Sequence, residues 1–285
     1  MELFQLTPIQ QNLLIASVIG DGEITKITYK NCRRKNNSYR EHYGVAQQAY
    51  REWKVSLMPE LWYLRPNSQS ICSRSLPIFT EMYSHFYDVN GAKKVPERLL
   101  FLCTQLHFLA VLYMDDGSLS ITRSINHRKK LIFLTPHIFL YLQNYPRDQL
   151  VLLNNHFKET MNTDFSINKR PDGYGYILRF TSTDKTYKFL KLIEPVTKLC
   201  PHMNYKTNWE YRFEFEKSKY EEEYPGYQTL ASSSDRHKNY SFEEINTLIT
   251  LKNEGITDKK IAEILGRTYW SVVYKLSDLR KNGLL

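Results

Sequence analysis

The chain has 285 residues, of which 42% are hydrophobic, 14% aromatic and 24% charged. That is globular composition with material for a sizeable core, and it excludes disorder of the whole chain. Lys and Arg number 39 against 30 Asp and Glu, a formal net charge of +9 that points to a polyanionic partner, nucleic acid being the usual one.

The longest mostly apolar stretch, Leu99 to Met114, is 16 residues long and contains Thr104, Gln105 and His107, too short and too polar for a membrane span. The start, MELFQLTPIQQ, lacks the basic opening and cleavage site of a signal peptide. Cysteines 32, 72, 103 and 200 form no C-x-x-C pair, so reduced, buried thiols are expected in a protein that is not secreted. A prokaryotic or phage-infected cytoplasm and an organelle are equally compatible with this.

In chain order, the apolar run LLIASVIGDGEI from Leu13 predicts a helix ending at Asp21-Gly22, followed by a strand over Ile24 to Tyr29. Trp53 to Leu64 and Leu76 to Phe86 read as helices, and Lys93-Lys94-Val95-Pro96 closes this first unit. The pattern then returns. HFLAVLYMDDGSL from His107 ends in Asp116-Gly117, 95 residues after the first Asp-Gly, with strands expected over Leu119–Thr122 and Leu131–Leu134. Gln149–Met161 and Lys185–Ile193 read as helices, and Phe165–Ile167 and Tyr176–Phe180 as a hairpin around Asp172-Gly173. Asn204-Tyr205-Lys206-Thr207 closes the second unit. Helices mixed with sequential hairpins predict an α+β fold with antiparallel sheets.

Residues 218–239, with an acidic run, Pro225-Gly226 and Ser232-Ser233-Ser234, read as a linker. Helical periodicity resumes after it. Ser241 and Glu244 form a capping box ahead of Ile245, Leu248 and Leu251. Thr257 caps a second helix with Ile261, Ala262 and Leu265 inward, and after Gly266-Arg267-Thr268 a third carries Val272, Leu276 and Leu279.

Ala16 and Gly20 lie four apart on one helix face, and small residues there let two helix backbones approach closely. A pseudo-twofold pairing with the second run, which carries Ala110, makes Asp21 and Asp116 neighbours. Two carboxylates so held repel unless a cation joins them, and helix C-termini add negative potential. The set suits oxygen-ligated Mg²⁺, with Mn²⁺ or another divalent cation as substitute, and phosphodiester hydrolysis. A lysine from each unit, Lys93 and Lys206, is placed to neutralise developing charge.

LLIASVIGDG and FLAVLYMDDG, with the KKVP and MNYK segments, resemble the two motifs of single-chain LAGLIDADG homing endonucleases of the intron-encoded type, over roughly residues 6 to 215. The resemblance implies two pseudo-symmetric αββαββα units, residues 1–96 and 97–217, whose antiparallel sheets form a saddle over a DNA major groove. It makes Asp21 and Asp116 metal ligands, with the Gly20 and Asp115 backbone carbonyls as further candidates. Lys93 and Lys206 are the catalytic lysines, Lys94 serving if the register slips by one. The Asp115 side chain reads as a solvated acid at the helix end. Polar residues on the strand after each motif orient active-site water there; Gln47 fits, with Gln48 beside it, and His137, with Thr135 as alternative. DNA contacts are expected from Lys26, Thr28, Lys30, Arg33, Arg34, Arg40 and His42 in unit one. In unit two they come from Arg123, Asn126, Arg128, Lys169, Arg170, Tyr174 and Arg179.

Residues 240–285 resemble a Myb-like, homeodomain-like helix-turn-helix, with Arg267, Thr268, Tyr269, Ser271 and Lys275 as candidate contacts. Trp270 and Tyr274 suit a core as well as a contact. The resemblance implies a monomeric, metal-dependent enzyme that cuts both strands of a long asymmetric double-stranded DNA site, promoting the homing of an intron or other mobile element. The alternative is a non-catalytic nucleic-acid binder, an intron RNA maturase acting on its own intron RNA or a transcription regulator.

Overall fold

The computed structural model describes residues 2–27, 34–232 and 239–285. The chain divides into two compact units, the first ending at Ser233 and the second running from Ser234 to Leu285. The expected contacts Thr28, Lys30 and Arg33 lie outside the described residues.

The first unit is built twice from the same series. Helix α1 (Pro8–Ile19) leads to strands β1 (Gly22–Thr25) and β2 (Ser38–His42), helix α2 (Gln48–Leu57), strands β3 (Trp62–Arg65) and β4 (Ser70–Ser73), and helix α3 (Pro77–Phe86). Then α4 (Leu106–Asp116), β5 (Gly117–Asn126), β6 (Leu131–Leu140), α5 (Arg147–Met161), β7 (Ser166–Lys169), β8 (Tyr176–Phe180) and α6 (Thr183–Thr197) repeat it. The sheets share one strand order, β1-β2-β4-β3 and β5-β6-β8-β7, with antiparallel neighbours throughout. This is the αββαββα duplication that the resemblance implies.

The paired helices α1 and α4 form the centre. Thr7 caps α1 in a reciprocal box with Gln10, and Pro8 at the first position pre-sets the helical φ. α4 has no side-chain cap of its own; instead Asn12 of α1 accepts from the Gln105 amide (3.0 Å) and donates to the Leu102 carbonyl (2.8 Å). α1 is buried on every side from Gln11 to Ile19 and α4 from Phe108 to Asp115, as interior helices are. The sheets pack one face on helices and leave the other more open; β6 shows it as strict alternation of buried and half-buried residues, whereas the central strand β4 is buried at all four positions.

The structure differs from the sequence reading in two places. Trp53–Leu64 is not one helix: α2 stops at Leu57, before Pro59, whose ring disfavours helix in the preceding residue, and β3 begins at Trp62. The linker expected from residue 218 also begins too early. After α7 (Asn204–Thr207), helix α8 (Trp209–Glu223) continues through that acidic run. Pro225 and Gly226 then turn the chain into β9 (Gln228–Ala231), which pairs in parallel with Leu131–Leu134 of β6.

In the second unit, α9 (Phe242–Asn253), α10 (Asp258–Ile264) and α11 (Tyr269–Lys281) enclose a core of Leu248, Ile261, Ala262, Val272, Leu276 and Leu279. Ser241, Thr257 and Thr268 cap the three helices. Trp270 and Tyr274 are exposed, not core, at 63% and 71% of their surface.

The glycines of the two Asp-Gly pairs serve close approach rather than a left-handed turn. A Cβ on Gly22 would lie 2.2 Å from the Tyr39 hydroxyl, and one on Gly117 would lie 2.1 Å from Cδ2 of Tyr113. Gly22→Ala and Gly117→Ala should each destabilise by about 1–3 kcal/mol in chemical denaturation. Gly44→Ala, at φ −83° with no neighbour within 4 Å of the added carbon, should stay close to the wild type.

Candidate active site

The C-terminal ends of α1 and α4 meet. A Cβ on Gly20 would lie 3.0 Å from the Asp115 side chain and 3.1 Å from Oδ2 of Asp116, so the small residue at the end of α1 is what lets the second motif approach. Asp21 and Asp116 stand at this meeting point. Burial, then the nearby charges of Asp21 and Asp115, push the Asp116 carboxyl up to about 8 against the pull of Lys93 and Lys206.

The two lysines sit in matching clamps. Lys93 Nζ donates to the carbonyls of Gly20 (2.8 Å) and Gly22 (2.7 Å), the residues on either side of Asp21. Lys206 Nζ donates to those of Asp115 (3.4 Å) and Gly117 (3.2 Å), on either side of Asp116. An ammonium has three N–H groups, so each lysine keeps one for the site. Burial pulls both below the ordinary lysine value, and the aspartates oppose it. Lys93 occupies this place in the register, while the Lys94 amide bonds back to Phe86. The Gly20 and Asp115 carbonyls, candidates for a metal from the sequence, each accept from one of these lysines and keep a second lone pair.

Asp115 is not a solvated helix-end acid. Its carboxylate is fully buried, 2.8 Å from Arg51 and 3.1 Å from Lys54, and accepts from the Tyr50 hydroxyl at 2.8 Å. Arg51 and Lys54 also reach Glu41, at 2.5 and 2.9 Å, and Tyr39 donates to Glu41. Burial raises Asp115, but Lys54 and Arg51 outweigh it and hold the group below the usual carboxylate range. For Glu41 burial prevails over the same two cations and the group stands above it.

Arg51 ties this network to the motif. Its second terminal nitrogen donates to Oδ2 of Asp21 (2.5 Å) and to the Gln47 side-chain oxygen (3.2 Å). Gln47 thus lies at the site, but on a 3-10 turn (Val45–Gln47) leading into α2 rather than on a strand. Gln48 turns to Glu52. His137 is on β6 opposite Ser120, bonded to Thr122 at 2.9 Å, and does not correspond to Gln47 in the repeat. Thr135 bonds Ser232 at 2.6 Å.

Sequence reasoning missed Arg51, Lys54 and Glu41 because charged residues on an amphipathic helix and a short strand read as solvent-facing. Asp21, Glu41 and Asp115 present oxygens within 4.8 Å of one another, a spacing a metal accepts. All three of those carboxylates already meet Arg51, and Glu41 and Asp115 meet Lys54 as well. Asp116, outside that group, is crowded by the like charge of Asp21 and Asp115.

The expected DNA contacts separate into groups. Arg40, His42 and Arg179 stand on open sheet faces, Arg40 paired with Glu23 (2.7 Å) and Arg179 bonded to Asn168 (2.8 Å). Arg34, Arg128, Lys169 and Tyr174 are exposed, Arg170 pairs with Asp172 at 2.5 Å, and Asn126 caps the β5–β6 turn through the Lys129 amide. Lys26 lies over the Tyr83 ring of α3. Arg123 is a correction: opposite Leu134, it lies on the helix-covered face, 3.3 Å from Glu223.

In the second unit Arg267 and Thr268 are also structural. Arg267 makes two bonds to Glu244, at 3.0 and 2.8 Å, and Thr268 caps α11. Ser271 meets the Tyr240 hydroxyl, Lys275 pairs with Asp278, and Tyr269 is exposed.

The sequence model of the LAGLIDADG DNA endonuclease family matches residues 12–187, and the chain belongs to that family. Among curated proteins, Protein RecA of Mycobacterium gastri is 28% identical over 205 residues, covering 69% of this chain and 46% of that protein. The chain thus spans less than half the length of that relative. Among solved structures, the homing endonuclease I-WcaI bound to its DNA recognition sequence has a TM-score of 0.50 and 21% identity, covering 71% of this chain and 87% of that one. The meganuclease I-SmaMI bound to uncleaveable DNA has a TM-score of 0.48 and 12% identity, covering 76% and 93%. At that identity the likeness to I-WcaI shows the fold alone, a LAGLIDADG α+β fold with two antiparallel sheets.

The charges set three expectations. Lys54→Ala leaves buried carboxylates uncompensated and should cost about 3–5 kcal/mol. Replacing the set together by the residues of the other repeat (Glu41→Leu, Arg51→Leu, Lys54→Leu, Asp115→Gly), with Tyr39→Phe and Tyr50→Phe to remove the hydroxyls left without acceptors, should cost less than Lys54→Ala alone in chemical denaturation. An acid with a raised folded pKa binds more protons folded than unfolded, so its stabilising contribution falls as pH rises toward 8. Metal-free protein should therefore lose stability between pH 5 and pH 8 relative to Asp116→Asn, and added Mg²⁺ should remove that loss.

Proposed function

We propose that the chain is a site-specific double-strand DNA endonuclease that hydrolyses phosphodiester bonds with a divalent metal, Mg²⁺ in the cell. The observation that carries this reading is the twofold repetition of one chemical unit. Each unit is an acid at a helix end with a lysine clamped across the carbonyls on either side of it. Two such units side by side match the need to cut two strands.

Asp21 and Asp116 hold the cation, which supplies a lowered water pKa and stabilisation of the leaving oxygen when bound. Each lysine, fixed at two carbonyls, presents its remaining N–H to the charge that develops on the phosphate. Gln47, anchored by Arg51, orients water on the Asp21 side. The open sheet faces read the major groove, and the asymmetry of the two halves implies a long asymmetric site recognised by a monomer. The usual role of such an activity is the spread of the mobile element that encodes it. The non-catalytic readings, maturase or regulator, have no use for both acids and both lysines.

The three-helix unit is read as a helix-turn-helix module whose α11, with Tyr269 and Lys275, meets DNA beyond the main site and raises affinity through effective concentration. With a duplex selected by cutting from a genomic library, Asp21→Asn and Asp116→Asn should each lower the cutting rate by at least about a hundredfold. The mobility-shift Kd should change little. Unchanged cutting in either variant would remove the metal-site assignment, and binding without cutting by the wild type would turn the reading to a maturase or regulator.

A further inference from the structure

The two open sheet faces carry different chemistry. On the first sheet, the register aligns Glu23, Arg40, Cys72 and Tyr63 in one row and His42, Ser70 and Arg65 in the next. Glu23 and Arg40 form an ion pair at 2.7 Å that holds the guanidinium in place, and Arg65 and Tyr63 are exposed beside it. This face offers long charged groups.

The second sheet offers almost none. Alternate residues of β5 on the open face are Ser118, Ser120, Thr122 and Ser124. They stand opposite Phe139, His137, Thr135 and Phe133 of β6, and β9 extends that face with Leu230 beside Phe133. Among the described strand residues of this face the one long cation is Arg179, whose Nε is bonded to Asn168. Arg123, the cation within β5, is turned to the helix side with Glu223 and over the Tyr220 ring.

The groove edges of the bases sort these faces. Arginine reads guanine O6 and N7 in bidentate fashion and a carboxylate accepts from cytosine N4, whereas the thymine methyl is met by threonine methyls and apolar side chains. We propose that the two halves of the target are read by different means. The half under the first sheet is specified by G·C pairs facing Arg65, with Arg40 presenting the terminal nitrogen that its two bonds to Glu23 leave. The half under the second sheet is rich in thymine steps facing Thr122, Thr135 and Phe133. The inference rests on the endonuclease reading above, which supplies the DNA.

The test is selection from a randomised duplex library by the full chain with Mg²⁺, followed by the same selection with Arg65→Ala and Thr122→Ala. Both residues are exposed, so the variants fold. The expected result is G·C-determined positions on one side of the cut and thymine-determined positions on the other. Arg65→Ala should flatten one G·C position by about fivefold to 150-fold and leave the thymine side intact. Thr122→Ala should relax a thymine position by about fourfold, the worth of one methyl. Equal base composition in the two halves, or loss of preference on both sides from Arg65→Ala, would overturn the proposal with the endonuclease reading intact. Selection of no duplex at all would overturn that reading as well.

Discussion

Two carboxylates converge where two buried helices end, and the rest of the first unit is arranged around that crowding. Negative charge from Asp21, Asp115 and the helix carbonyls falls within one small volume, and Asp116 responds by holding its proton up to about pH 8. Lys93 and Lys206 draw their ammoniums to the carbonyls beside each acid, which offsets the negative potential of the helix ends. On the endonuclease reading proposed above, a divalent cation relieves the repulsion that remains.

The repeat is symmetric in backbone and asymmetric in interior chemistry. Glu41 stands opposite Gly22 as Leu140 stands opposite Gly117. Counting on from there, Arg51 and Lys54 of α2 correspond to Leu150 and Leu153 of α5, all four fully buried. Asp115 likewise corresponds to Gly20. One half therefore packs an ionic cluster under its motif and the other packs leucines. Buried ion pairs are a poor source of stability but can fix which surfaces meet. Here Asp115 has its cations only on the first half, so the two halves are not interchangeable. The open faces carry the same asymmetry outward.

Much of this was legible in the sequence because it lies in patterns of local origin. The two apolar runs ending in Asp-Gly, the matched lysines and the capping box at Ser241 are short-range signals. The helices they predict form, with α2 the exception, where Pro59 breaks a run that looks continuous. The buried network was not legible. Glu41, Arg51 and Lys54 are ordinary surface residue types, and only the packing of α2 against the second motif removes them from water. Arg123 and Arg267 show the converse: they resemble phosphate contacts in sequence, yet Glu223 and Glu244, 100 and 23 residues away, engage them. The turn at Pro225-Gly226 was visible, but the strand after it pairs with β6 nearly a hundred residues earlier, which no local pattern encodes.

The central claim is that the cation belongs between Asp21 and Asp116. Crystals soaked in Mn²⁺ and measured at a wavelength that reveals its anomalous scattering test this directly, without knowledge of the DNA target. The account predicts a peak in contact with both Asp21 and Asp116, with Arg51 and Lys54 still bound to Glu41 and Asp115. A peak at Glu41 and Asp115, with Lys54 displaced and the Asp21–Asp116 gap empty, would contradict it.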